Sequence, residues 1–120
     1  MYVIEKVFVW VAWYDEELEL ETDILGYTED HDKAYIFAAG QYEELCAAGL
    51  EEFDHFEKQD FEDWDRILEI QNPKARYKAM HKFRDIIWNN DVWDNEQEDN
   101  RDRGMHGYYI YVERVIKLRQ

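Results

Sequence analysis

Apolar and polar positions recur along this chain with two different periods, and each change of period marks an element. The opening run YVIEKVFVWVAWY, residues 2–14, is β-branched and aromatic on both alternating faces. That pattern predicts a central strand, one face on the core and the other covered by something else. Asp15, Glu16 and Glu17 supply the turn, although the Asn-Gly pair of short hairpins is missing. Over residues 18–27, Leu18, Leu20 and Thr22 alternate with Glu19, Glu21 and Asp23, the period of a half-exposed strand. The period then lengthens. Thr28 stands where an N-cap is expected, and Glu29, Asp30 and Asp32 complement a helix dipole. Ala34, Phe37, Ala38, Tyr42 and Leu45 fall on one face, so a helix is predicted over 29–48 with Gly49 as its C′ residue.

Residues 51–71 space Phe53, Phe56, Phe61, Trp64, Ile67 and Leu68 at helical steps, giving one helix or two with a break near Gln59. Asn72-Pro73 ends that unit and opens a third helix over 73–89, because proline suits the first helical position. Its apolar side holds Tyr77, Met80, Phe83 or Arg84, and Ile87, and its outer side holds Lys74, Lys78 and Lys82. Residues 89–107 are polar and turn-rich and read as a long mobile loop. YYIYVERVIKL, residues 108–118, closes the chain as a strand that pairs beside the first. The expected fold is a single α+β domain, 1–120, of order β-β-α-α-α-β with a small antiparallel sheet.

Composition sharpens this picture. A chain of 120 residues, 46% apolar and 17% aromatic, buries a core without staples and is no disordered acidic tail. The single cysteine, Cys46, rules out an intrachain disulfide and fits a reducing compartment. The N-terminus lacks the basic region and cleavage site of a signal peptide, and no run of 18 apolar residues occurs, so a cytoplasmic protein is expected. The net charge is −15 and uneven: residues 1–65 carry 20 acids against Lys6, Lys33 and Lys58, whereas residues 66–120 carry 9 acids against 11 bases. The acidic half disfavours nucleic acid or an anionic membrane as partner and favours a basic protein or a cation.

MYVIEKVFVW, the acidic hairpin, ILGYTEDHDKAYIFAA and the closing YYIYVERVIKL together resemble the small acidic α+β proteins of bacteriophages and mobile elements. The shared parts are a strand, a hairpin, a Gly-aromatic-Thr entry to an acid-capped helix and a closing strand. They cover residues 1–48 and 108–118, and the insert at 51–107 lies outside them. The resemblance implies a context, the cytoplasm of a host cell, more than a chemistry.

The candidates for chemistry are weak. His31 with Asp32, or His55 with Asp54, would ligate a metal only with distant help, and neither belongs to a zinc motif. His81 and Asp85 read as a pair on one helix face, and Cys46 as a small buried hydrophobe. Asp94 would begin a calcium loop, but an EF-hand needs Gly and Glu where this chain has Asp99 and Met105. There is no phosphate-binding glycine motif and no serine at all. No catalytic residue, cofactor or metal is therefore expected. The lysine stripe at 74, 78 and 82 could meet phosphates beside Tyr77 and Trp88; the plainer reading is pairing with the acidic helix before it.

The acids themselves remain. Asp15, Glu16, Glu17, Glu19, Glu21 and Asp23 on the hairpin, with Glu51, Glu52, Asp54, Asp60, Glu62 and Asp63 after the first helix, are the candidate partner-binding residues. Alternate strand carboxylates stand about 7 Å apart and resemble the charge ladder of nucleic acid. The plainer role is an edge protected from aggregation. The expectation is a non-enzymatic, nucleic-acid-mimicking inhibitor of a host defence or DNA-binding protein, of anti-restriction or anti-CRISPR type. Its partner would be basic and nucleic-acid-binding, with no direct nucleic acid and no membrane contact, and self-association stays open. The alternatives are an immunity or antitoxin protein for a basic toxin, an accessory phage protein without mimicry, and an enzyme or metal-dependent module built on 89–107.

Overall fold

The doubly apolar opening run does become the middle of a sheet. In the computed structural model the strands β1 (Tyr2–Ala12), β2 (Leu18–Thr28) and β3 (Arg103–Arg114) form one antiparallel sheet of order β2-β1-β3. Between β2 and β3 the chain makes α1 (His31–Glu52), α2 (Lys58–Leu68) and α3 (Pro73–Ile87). The structure describes residues 1–12, 18–52, 54, 56–87 and 103–115, with side chains save those of 8–12, 18–20 and 103–108. The result is the expected single α+β domain.

Several boundaries differ from the sequence reading, each for a local reason. Asp30, not Thr28, caps α1: its Oδ1 accepts the Lys33 N–H at 2.9 Å, while Thr28 Oγ1 accepts the Asp30 N–H at 3.2 Å. The helix passes through Gly49 to Glu52, because Tyr42, Cys46, Gly49 and Leu50 extend the buried face one further turn. A second helix from residue 51 is not formed. α2 starts at Lys58, where Asp60 reaches back to accept the Glu57 N–H at 2.9 Å and fixes the first turn. Asn72 caps α3 as its Asn-Pro start implies, accepting the Ala75 N–H at 2.9 Å. β3 begins at Arg103 and not at 108, so residues 103–107 of the expected loop are strand, with Gly104 and Met105 in register with Val11 and Trp10. The remainder of that loop, and the ends placed at 13–14, 88–89 and 116–118, lie outside the described residues.

The register sorts the sheet into two unlike faces. Ile4 faces Gly26 on one side and Val112 on the other, and Lys6 faces Asp23 and Ile110. This is the inner face, where Ile4 and Ile110 are buried against Ala34, Ala38, Tyr42 and Cys46 of α1 and Tyr77, Met80, Phe83 and Ile87 of α3. Each large apolar side chain buried there contributes about 1.5–3 kcal/mol. A bulge in β2 opposite Ile4/Glu5 turns Leu25 onto the same core. α2 joins through Trp64, whose ring lies 5.3 Å from Phe83. The opposite, outer face carries Val3, Glu5 and Val7 with Tyr27, Ile24 and Thr22 to one side and Glu113, Tyr111 and Tyr109 to the other. Described helix side chains reach it only at the β3 edge, where His81 and Arg84 of α3 meet Tyr109 and Tyr111; on the β2 side Ile24 is 68% and Tyr27 73% exposed.

Candidate functional site

The predicted acids do not gather into one site. Glu21 and Asp23 are exposed on β2, the edge strand farthest from β3. They oppose Phe8 and Lys6 in register, which puts them on the helix-bearing face, where both stay exposed. Asp23 therefore has a basic neighbour across the ladder that its sequence neighbours do not show. Glu19 pairs in register with Trp10; Asp15, Glu16 and Glu17 lie outside the described residues. Glu51 and Glu52 end α1 and are exposed, as is Asp54. The α2 acids are engaged at home: Asp60 in its capping bond, Glu62 with Lys58 at 3.8 Å, and Asp63 with Arg66 at 3.2 Å and the Gln59 amide at 2.8 Å.

The expected neutralisation of α2 by the lysines of α3 is not seen among the described residues. Two cations of α3 reach α1 instead, Arg76 pairing with Glu43 at 3.4 Å and Lys74 standing over the Tyr35 ring at 5.7 Å, while Arg76 also donates to the Leu68 carbonyl at the end of α2 at 3.1 Å. The physical cause is that α3 packs chiefly along α1.

The polar feature that sequence reasoning missed sits where the helices meet β3. Ile110 opposes Lys6 of β1, yet its own polar backbone atoms serve the helices. Its N–H donates to Tyr42 Oη at 2.7 Å, and the Tyr77 hydroxyl donates to its carbonyl. The Tyr42 hydroxyl, having accepted from Ile110, also shares a hydrogen bond with His81 Nδ1 at 2.6 Å, as donor when the imidazole carries its proton on Nε2. Two tyrosines thus cover the strand edge that another β-strand would otherwise take. Burial drives the Tyr42 hydroxyl far above its ordinary range and pushes Tyr77 up to about 12, so both stay protonated. Burial, and then the Arg84 charge, hold His81 below its ordinary value, against the opposing pull of Asp85. The burial and the Arg84 charge both favour the neutral imidazole of His81 in this network.

Arg84 completes the cluster. It is buried, bonds Asp85 Oδ1 at 3.0 Å, and lays its guanidinium 3.7 Å from the centre of the Tyr109 ring. Its Nε has no hydrogen-bond partner among the described residues. Tyr109 in turn stacks on Tyr111, centroids 5.8 Å apart and planes within 10°. The only sequence signal for this cluster was chemical: tyrosines where phenylalanine would fill a core, and Arg84 among apolar neighbours.

The remaining candidates have local explanations. His31 Nδ1 lies 3.1 Å from Asp32, and its ring packs on Tyr2 and Tyr35. Cys46 is buried, which pushes its thiol up to about 12 and leaves it a poor nucleophile. The Asp94 loop lies outside the described residues. Among the described residues no three His, Cys, Asp or Glu side chains converge as a metal site, and no helix is long and apolar enough to cross a membrane. A cleft of about 380 Å³ between α1 and α3 contains the Glu43–Arg76 pair, and one of about 280 Å³ beside β2 contains Lys33. Neither sets a nucleophile beside a base. No family model, no curated protein and no solved structure matches the chain.

Proposed function

We propose that the protein is a non-enzymatic, acidic interaction protein that occupies the nucleic-acid-binding surface of a basic partner, as an inhibitor of a host defence or DNA-binding protein would. The observation that carries the reading is uncompensated charge on β2 and at and beyond the end of α1. Glu21, Glu51, Glu52 and Asp54 are exposed and have no ion pair among the described residues. Carboxylates left unpaired repel one another in the free protein, and a complementary cationic surface relieves that repulsion on binding. A partner built to hold phosphates offers such a surface, and the long-range field speeds the encounter in a salt-sensitive way. The resemblance to phage and mobile-element proteins supports the same context.

The test is capture from a bacterial lysate at low salt, elution by rising salt, and identification by mass spectrometry. A variant with Glu19, Glu21, Glu51 and Glu52 all changed to Gln runs in parallel. The expected result is a nucleic-acid-binding protein held by the native chain, displaced by added duplex DNA and lost from the variant. Equal capture by both proteins, or no DNA-displaceable partner, overturns the reading and leaves the acids as a solvated surface.

A further inference from the structure

The outer face of the sheet is built in rows that combine tyrosine, aliphatic and carboxylate side chains. Tyr27, Val3 and Glu113 form one row, and Ile24, Glu5 and Tyr111 the next. Its charge is one-sided. Among the described strand residues, Glu5 and Glu113 lie on this face, whereas Lys6 and Arg114 share register rows with Ile110 and Tyr2 of the inner face. Neither Glu5 nor Glu113 has an ion pair among the described residues. The molecule's smallest extent, 15 Å, accommodates a sheet and one layer of helices and no third layer.

We propose that this face docks an arginine-bearing segment of a basic protein, with one guanidinium stacked on Tyr111 and paired with Glu5. The proposal rests on the reading of a basic partner given above and names the surface that receives it. The fold already contains the same contact once. Arg84 lays its guanidinium on Tyr109 at the rim of this face, and Tyr111 is the next ring of the same stack, 37% exposed, with the His81 ring 5.8 Å away on its α3 side and no guanidinium on it among the described residues. Glu5 is the register partner of Tyr111, and directly opposed residues have Cβ atoms about 5 Å apart. One planar cation can therefore cover the ring and reach the carboxylate together, which a lysine ammonium, a point charge on a flexible stem, does less well. A second copy of the chain is the poorer occupant: it would set Glu5 and Glu113 against their equivalents and bring together two molecules of net charge −15.

Labelled octa-arginine and octa-lysine peptides, titrated at one physiological salt concentration, test this at equal charge. Octa-arginine is expected to bind about fivefold more tightly than octa-lysine, with the largest amide shifts at Val3, Glu5, Val7 and Ile24. Glu5→Gln and Tyr111→Leu each abolish the preference, Tyr111→Phe retains it, and the double change Glu21→Gln, Asp23→Asn leaves it intact. Equal binding of the two peptides overturns the proposal, as do shifts centred on residues 21–23 and 51–54. So does concentration-dependent dimerisation that shifts the outer-face amides, which would make a second copy the occupant. The two readings fail separately. A lysate partner lost with the Glu19–Glu52 variant but retained by Glu5→Gln and Tyr111→Leu keeps the mimic and removes this face. An arginine preference without any DNA-displaceable partner does the reverse.

Discussion

Tyr42 shows how one atom can hold two elements together. Its hydroxyl oxygen accepts from Ile110 of β3 and shares a hydrogen bond with His81 Nδ1 of α3, so Tyr42→Phe strands two polar partners at once. The expected loss is about 1–3 kcal/mol, read from urea denaturation, and larger than that for Tyr77→Phe, which frees only the Ile110 carbonyl. His81 adds a pH term of definite sign. The unfolded chain takes up its proton near the ordinary histidine value, whereas the folded protein does so only at lower pH, because burial and Arg84 oppose the charge. Its contribution is fully present above that ordinary value, about 6.5, and is lost as pH falls through the folded pKa. The urea midpoint of the native protein should fall more steeply between about pH 7.5 and pH 5.5 than that of His81→Gln. In Arg84→Met the His81 pKa, followed by its ring proton resonances, should rise toward the ordinary value. None of this was legible in the sequence. Tyr42 could be placed on the buried side of α1 by its spacing, but its partner Ile110 lies 68 residues away, and no local pattern encodes that distance.

At the scale of elements, legibility follows how much of each element is locally determined. The existence of every strand and helix could be read from periodicity. Both ends of α1 could not, since Thr28 and Asp30 are each competent caps and only the direction of the chain leaving β2 chooses between them. The early start of β3 is similar: RGMHG has no β-branched residue, and its pairing with the strongly β-forming β1 overrides that weak propensity. Gly40 offers a test of propensity alone. It sits inside α1, and an added Cβ would meet nothing within 4 Å. Gly40→Ala should therefore stabilise the protein by about 0.4–1 kcal/mol in thermal or urea unfolding. The first turn of α2 separates a structural acid from surface ones. Asp60→Ala removes the bond to the Glu57 N–H and should cost about 1 kcal/mol. Glu62→Ala breaks only a 3.8 Å pair with a largely exposed lysine and should be nearly silent. If Asp60→Ala also weakens partner capture, the loss of the helix start must be weighed before any contact is inferred.

For the whole molecule, the sequence distinguished two faces of each strand without indicating which one the helices would cover. The alternation in β2 suggests acids outward and apolar residues inward. In the fold Asp23 and Glu21 share the helix-bearing face, and Ile24 stands on the bare one. A period of two is symmetric, and the choice of side is made by the connection from β2 into α1. The same limit applies to charge: −15 is plain from composition, but only the fold shows which carboxylates lack a cation. Those unpaired acids make a prediction with opposite signs for stability and for binding. In the free protein, raising salt from about 0.01 M to about 1 M shortens the screening length from about 30 Å to about 3 Å, so self-repulsion fades and the thermal midpoint should rise. Glu51→Gln, Glu52→Gln, Asp54→Asn combined should raise the midpoint at low salt and flatten its salt response. Capture of a basic partner should weaken over the same range, and the same triple variant should weaken it at low salt. A midpoint that rises with salt while capture falls means that one set of carboxylates destabilises the free fold and drives association. A midpoint indifferent to salt would mean that the acids are too far apart to oppose folding, and would remove the energetic reason for a partner to neutralise them.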